Sequence, residues 1–243
     1  MGQVKRKLKA FGRQIWELFK WSLPAALMYF CAGSILMMLT MKENEIFWDG
    51  GKLGWTLVCA LGAAAYNALM CYGQGGNAYE MLVSGNIKRT SMDEYGGGYR
   101  MSSHKYAKEY RVWKGFANGA FTAIYPLLFG IIFGVNQTAI DTQTGTTGLA
   151  ILLLIGFLLS GWSLLPIYYM NASGMGVSYF VSCAFAIVPI AVSGAFYILG
   201  AYGRRNKAIK EQMLADRAAA AEAAREKKIN YGGLPGTKPR KRR

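Results

Sequence analysis

Hydrophobic and polar positions are segregated along this chain in blocks. Five stretches, residues 21–41, 53–72, 115–135, 148–170 and 177–202, carry no Lys, Arg, Asp or Glu. Each has about the ~20 apolar residues that a helix needs to cross a bilayer. A soluble core has no use for five segments so purely apolar, so the pattern predicts an all-α polytopic membrane helix bundle. Composition agrees. The 243 residues are 53% hydrophobic and only 17% charged, against roughly a quarter charged in soluble domains.

The polar intervals then fix a topology. Residues 1–20 hold six basic residues and one acid, 75–114 hold seven and four, and 203–243 hold thirteen and four. The interval 42–52 has two lysines among three acids, 136–147 has Asp141 and nothing basic, and 171–176 is uncharged. Basic flanks are retained on the cytoplasmic side. That rule places the N-terminus, the central loop and the tail inside, with 42–52 and 136–147 outside. Five crossings would put the thirteen basic residues of the tail outside. Four crossings plus a re-entrant segment over 148–176 resolve the conflict, and five plain crossings are the alternative. The break is expected in "LPIYYMNASGMG", where Pro166 removes a helix hydrogen bond and Gly174 and Gly176 permit a turn.

The organisation expected from these blocks has five parts. Residues 1–20 form a basic amphipathic interfacial helix, and 21–74 the first helical hairpin, with Pro24 in a first helical turn. A cytoplasmic loop covers 75–114, broken by its glycines, with a short helix ending near Gly85. The second transmembrane half covers 115–202. A basic tail, 203–243, is helical and then disordered. Small residues line two faces, Ala60, Ala64 and Ala68 on one and Gly115, Gly119, Gly130 and Gly134 on the other. Such faces let helices approach closely in lipid, by default within the monomer; homo-oligomerisation is the alternative. No cleavable signal is expected, since the first apolar run is longer than a signal-peptide core.

Chemistry is sparse. The single histidine, His104, adjoins serines that a helix would not turn toward it, and no metal, nucleotide or protease motif is present. No catalytic residue, metal or cofactor is therefore expected, and the chain reads as a non-enzyme. Cys31, Cys59, Cys71 and Cys183 fall in apolar runs, where cysteine behaves as a small hydrophobe. The polar side chains of interest are Asn67 and Asn118, at similar depth on the second and third spans and expected to face each other as interhelical contacts. Tyr125 and Ser163 join them as candidate linings of a solute path. Lys88, Arg89, Arg100, Lys105, Lys238, Arg240, Lys241, Arg242 and Arg243 are candidate contacts for anionic lipid at the cytoplasmic face or for an anionic partner. A protein partner through the tail fits better than nucleic acid. The function expected is an accessory or scaffold subunit of a membrane complex, multi-pass in a bacterial cell membrane with both termini cytoplasmic. A passive channel or permease for a small solute is the alternative.

Overall fold

In the computed structural model, residues 2–41, 46–84, 110–142, 144 and 146–230 are described. The fold is all-α. Helix α1 covers Gly2–Thr40, α2 Gly50–Ser84, α3 Val112–Val135, α4 Gln137–Asp141 and α5 Thr147–Ala172. A 3-10 turn at Tyr179–Val181 and the short α6, Ser182–Phe185, lead into α7, Ile187–Asn230. Five of these helices are long and apolar enough to cross a membrane. The chain forms two units, Met1–Ala201 and Tyr202–Arg243. The second is helical as far as Asn230, and its described side chains are almost all exposed. A Lys207–Glu211 pair at 3.8 Å runs along its surface.

Contacts between helices give the direction of each. At one end, Trp21 packs with Cys71, Ala78, Tyr110 and Tyr197, and the Tyr110 N–H donates to the Ala78 carbonyl at 3.2 Å. At the other end, Thr40 bonds Tyr169 at 2.6 Å, and the Trp48 N–H donates to Ser173 Oγ at 2.7 Å. Phe133 meets Tyr179 there. So α1, α2, α3 and α7 each traverse the bundle in alternating sense. The start of α1 and the bundle portion of α7 finish at the same end.

Helix α5 does not traverse. Ser160 has non-helical φ/ψ (−133°, 19°), and the rings of Phe157 and Tyr168 lie 5.3 Å apart. On a straight helix those residues would be separated by about 16 Å. The segment therefore folds back on itself. Its first limb packs Leu149 and Leu153 into the cluster of Phe133 and Ile140, and its second limb returns Tyr169 to that same cluster. The elbow is level with Gly33 of α1, about 10 Å below the α1 terminus at 1.5 Å per residue, well inside a hydrocarbon core of ~30 Å.

Several expectations are corrected. The re-entrant break falls at Ser160, ahead of Pro166. Gly174 (φ 81°) and Gly176 (φ 60°) instead turn the chain from α5 into the last traverse. Helix α2 runs straight through Gly75 and Gly76 to Ser84; Gly75 packs against the Tyr197 backbone and Gly76 is buried. The basic N-terminal stretch is continuous with the first span as one 39-residue helix, which leaves Pro24 in its interior. The expected short helix ending near Gly85 is the last part of α2, and the far tail, 231–243, lies outside the described residues.

Glycine sets the closest contacts. A Cβ on Gly75 would strike the Tyr197 carbonyl of α7, and one on Gly200 would strike the Tyr72 carbonyl of α2. Two Tyr-x-x-Gly quartets thus cross reciprocally, backbone against backbone, a geometry in which Cα–H groups meet carbonyl oxygens. Gly115, Gly119, Gly130 and Gly134 of α3 all face residues between Phe180 and Tyr197, so this small-residue face is used inside the monomer.

Two outcomes check these assignments. In a background without native cysteines, Thr146→Cys and Gly174→Cys should react with an impermeant maleimide from one side, and Val83→Cys only from the other. Labelling of Thr146→Cys and Gly174→Cys from opposite sides would show that α5 traverses. Gly75→Val should lower stability in detergent unfolding by about 1–3 kcal/mol or more, because the clash is with backbone and no rotamer relieves it. Gly73→Val, where a Cβ meets open space, should leave stability close to wild type.

Candidate functional site

Polar side chains inside the bundle gather in three places, and the local sequence explains each. The first is the elbow of α5, within "LLSGWSLLP". Breaking a helix in hydrocarbon frees carbonyls that no water satisfies. Ser163 Oγ donates to the Ser160 carbonyl at 3.0 Å, and Ser182 Oγ donates to Ser163 Oγ at 3.0 Å. All three serines are fully buried. Gly161 allows the elbow to rest on α1, since a Cβ there would lie 3.2 Å from the Gly33 Cα and carbonyl oxygen. The Ser160 hydroxyl has no partner.

The second group ties four helices together nearer the basic end. The Asn67 amide of α2 pairs with Ser193 of α7, its Nδ2 donating at 3.0 Å. The Cys71 thiol donates to Asn67 Oδ1 at 3.3 Å. Asn118 of α3 donates to Gln74 Oε1 at 3.1 Å and to Cys71 Sγ at 3.4 Å. Gln74 in turn donates to the Trp21 carbonyl of α1 at 3.3 Å. Asn67 and Asn118 thus do not bond each other; the Cys71 sulfur stands between them. Asn67 and Ser193 are wholly buried, and Asn118 nearly so.

The third group closes the opposite end. Asp49 precedes α2 and accepts from the Lys52 N–H at 2.7 Å, an N-cap. The Lys52 ammonium donates to the Phe47 carbonyl and lies 4.8 Å above the Tyr169 ring, a cation–π contact. Tyr169 spends its hydroxyl on Thr40. A small pocket of about 100 Å³ beside this lid is lined by Ile46, Ile140, Asp141, Tyr168, Asn171 and Ala172.

The expected path residues are not brought together. Ser163 sits in the elbow, Asn67 and Asn118 in the inner network, and Tyr125 at a groove with Leu23 and Leu27. The basic candidates Lys88, Arg89, Arg100, Lys105, Lys238, Arg240, Lys241, Arg242 and Arg243, and His104 with them, lie outside the described residues. Sequence reasoning missed Ser160, Ser182, Ser193, Gln74 and the Lys52–Tyr169 lid. The spacing of Ser160 and Ser163 in an otherwise apolar run was the available signal for the elbow. Nothing in the sequence announced that Cys71 joins two amides. Among the described residues no group of three His, Cys, Asp or Glu side chains gathers as a metal site would need.

Comparison with protein-family models, curated proteins and solved structures finds no match. The class therefore rests on the fold: an all-α integral membrane bundle with a re-entrant helical hairpin.

A double-mutant cycle of Asn67→Ala and Ser193→Ala should give a coupling of about 0.6–1.7 kcal/mol in detergent unfolding, the range for interhelical hydrogen bonds in lipid. Additive effects would mean that the pair contributes no net stabilisation.

Proposed function

We propose that the chain is a non-enzymatic accessory or scaffold subunit of a complex in the cell membrane. Its N-terminus and basic tail lie on the cytoplasmic side. One observation carries this reading: the polar groups at the middle of the bundle are spent on one another. Ser163, Ser182, Asn67 and Ser193 all have no exposed surface, and their bonds hold helices together. A solute path needs polar atoms left for the solute, and these face inward onto protein. The positive-inside rule supports the orientation, since the chain's basic residues concentrate in 1–20, 75–114 and 203–243. The thirteen basic residues of the tail then supply a surface for an acidic protein partner.

The re-entrant hairpin is the feature that favours a second reading, a passive channel. Half-helices that meet inside the membrane line paths when their elbow is wet. Here the three elbow serines are fully buried against protein.

The test uses the full chain solubilised in mild detergent from its native membrane. The expected result is a particle larger than the 26.7 kDa chain, with other polypeptides at fixed ratio. Removal of residues 203–243 should release them while the remaining bundle stays helical by circular dichroism. The channel reading takes over if proteoliposomes of the chain alone pass a small solute faster than empty vesicles and Ser163→Leu abolishes that flux.

A further inference from the structure

Because α5 turns back at Ser160, it fills only the half of the bundle toward its own ends. The other half, directly beneath the elbow, is left to α1 and α3. A groove of about 290 Å³ opens there, lined by Leu23, Ala26, Leu27 and Phe30 of α1, Tyr125 of α3 and Leu159 as its roof. Leu23 and Leu27 are well exposed on its α1 wall.

We propose that this groove seats one acyl chain of an anionic phospholipid, with the headgroup held at Lys20. Four observations select that occupant. The groove lies at hydrocarbon depth and its lining is almost wholly apolar, Tyr125 apart. Measuring about 10 Å along α1, from Leu23 to Phe30, and about 290 Å³ in volume, it has room for a single hydrocarbon chain. Leu159 roofs the top, so the occupant enters from the basic end, as a lipid of that leaflet does.

The fourth observation is the rim. Lys20 lies three residues before Leu23, on the stripe that continues to Leu27 and Phe30, and its side chain is half exposed. Glu17, 3.9 Å away, is the acidic neighbour of its ammonium, and the Trp16 ring lies beneath it at 5.5 Å. Pro24 carries no N–H to donate to the Lys20 carbonyl one turn back. An ammonium at the mouth of an apolar slot suits a phosphate headgroup. The five further basic residues earlier in α1 add attraction for the same leaflet charge.

The experiment measures lipid retained per chain by native mass spectrometry. The full chain is first equilibrated in nanodiscs of equal phosphatidylglycerol and phosphatidylcholine. One phosphatidylglycerol per chain is expected to survive detergent exchange. Ala26→Trp, which fills the slot, should cut its retention at least about tenfold with helicity unchanged. Lys20→Gln, at an exposed site that does not threaten folding, should reduce the preference for phosphatidylglycerol about fivefold. The proposal is overturned if Lys20→Gln leaves the preference intact, if both lipids are retained equally, or if Leu27→Cys cross-links two copies of the chain through the groove.

Discussion

A broken helix in hydrocarbon must find hydrogen-bond partners within the protein, because no water is present to complete it. The rest of this bundle is arranged around that constraint. The break at Ser160 is admissible only because Ser163 reaches its carbonyl and because Gly33 and Gly161 let α1 shield the elbow at backbone distance. The turn in α5 dictates the parity of the traverses. Parity in turn brings the start of α1 and the bundle portion of α7 to the same end. Two serine hydroxyls and two glycines therefore underlie a topology that the charge distribution only describes.

The same economy recurs where α2 crosses α7. Two Tyr-x-x-Gly quartets meet with no side chain between them, so the attraction consists of Cα–H contacts and dispersion, each small. Such a contact works by fit. The Asn67–Ser193 bond lies one to two turns away on the same pair of helices and fixes their register, since a shift by one residue would strand two buried polar groups. Packing and polar pairing thus act on one interface in different ways: the glycines permit the approach, and the amide selects its position.

Much of the architecture was legible in the sequence, and the reasons are physical. Long uncharged runs and basic flanks are strong signals because lipid penalises charge over whole segments. The parity conflict between five runs and a basic tail pointed correctly to 148–176. The location of the break was misjudged because proline and glycine are loud local signals, while the deciding feature was tertiary: a serine pair supported by Ser182 and a glycine on another helix. Likewise Gly75 reads as a helix breaker in isolation, yet lipid and a neighbouring carbonyl favour continuing the helix. Asn67 and Asn118 are buried polar residues on adjacent helices, yet they do not pair with each other. Their partners were not legible, because which face of α7 or which sulfur stands opposite is set by crossing angles that sequence spacing does not encode.

The re-entrant hairpin also makes the two halves of the bundle unequal. Six helical limbs occupy the half toward the ends of α5, and four the half toward the basic end. A slice through one leaflet therefore displaces more lipid than a slice through the other. Inserted in a flat bilayer, each copy adds more lateral area to one monolayer than to its partner, a mismatch that a membrane relieves by bending toward the thinner-waisted side. Copies gathered in one patch would sum that bias, and the serine elbow would then set membrane curvature as well as chain topology.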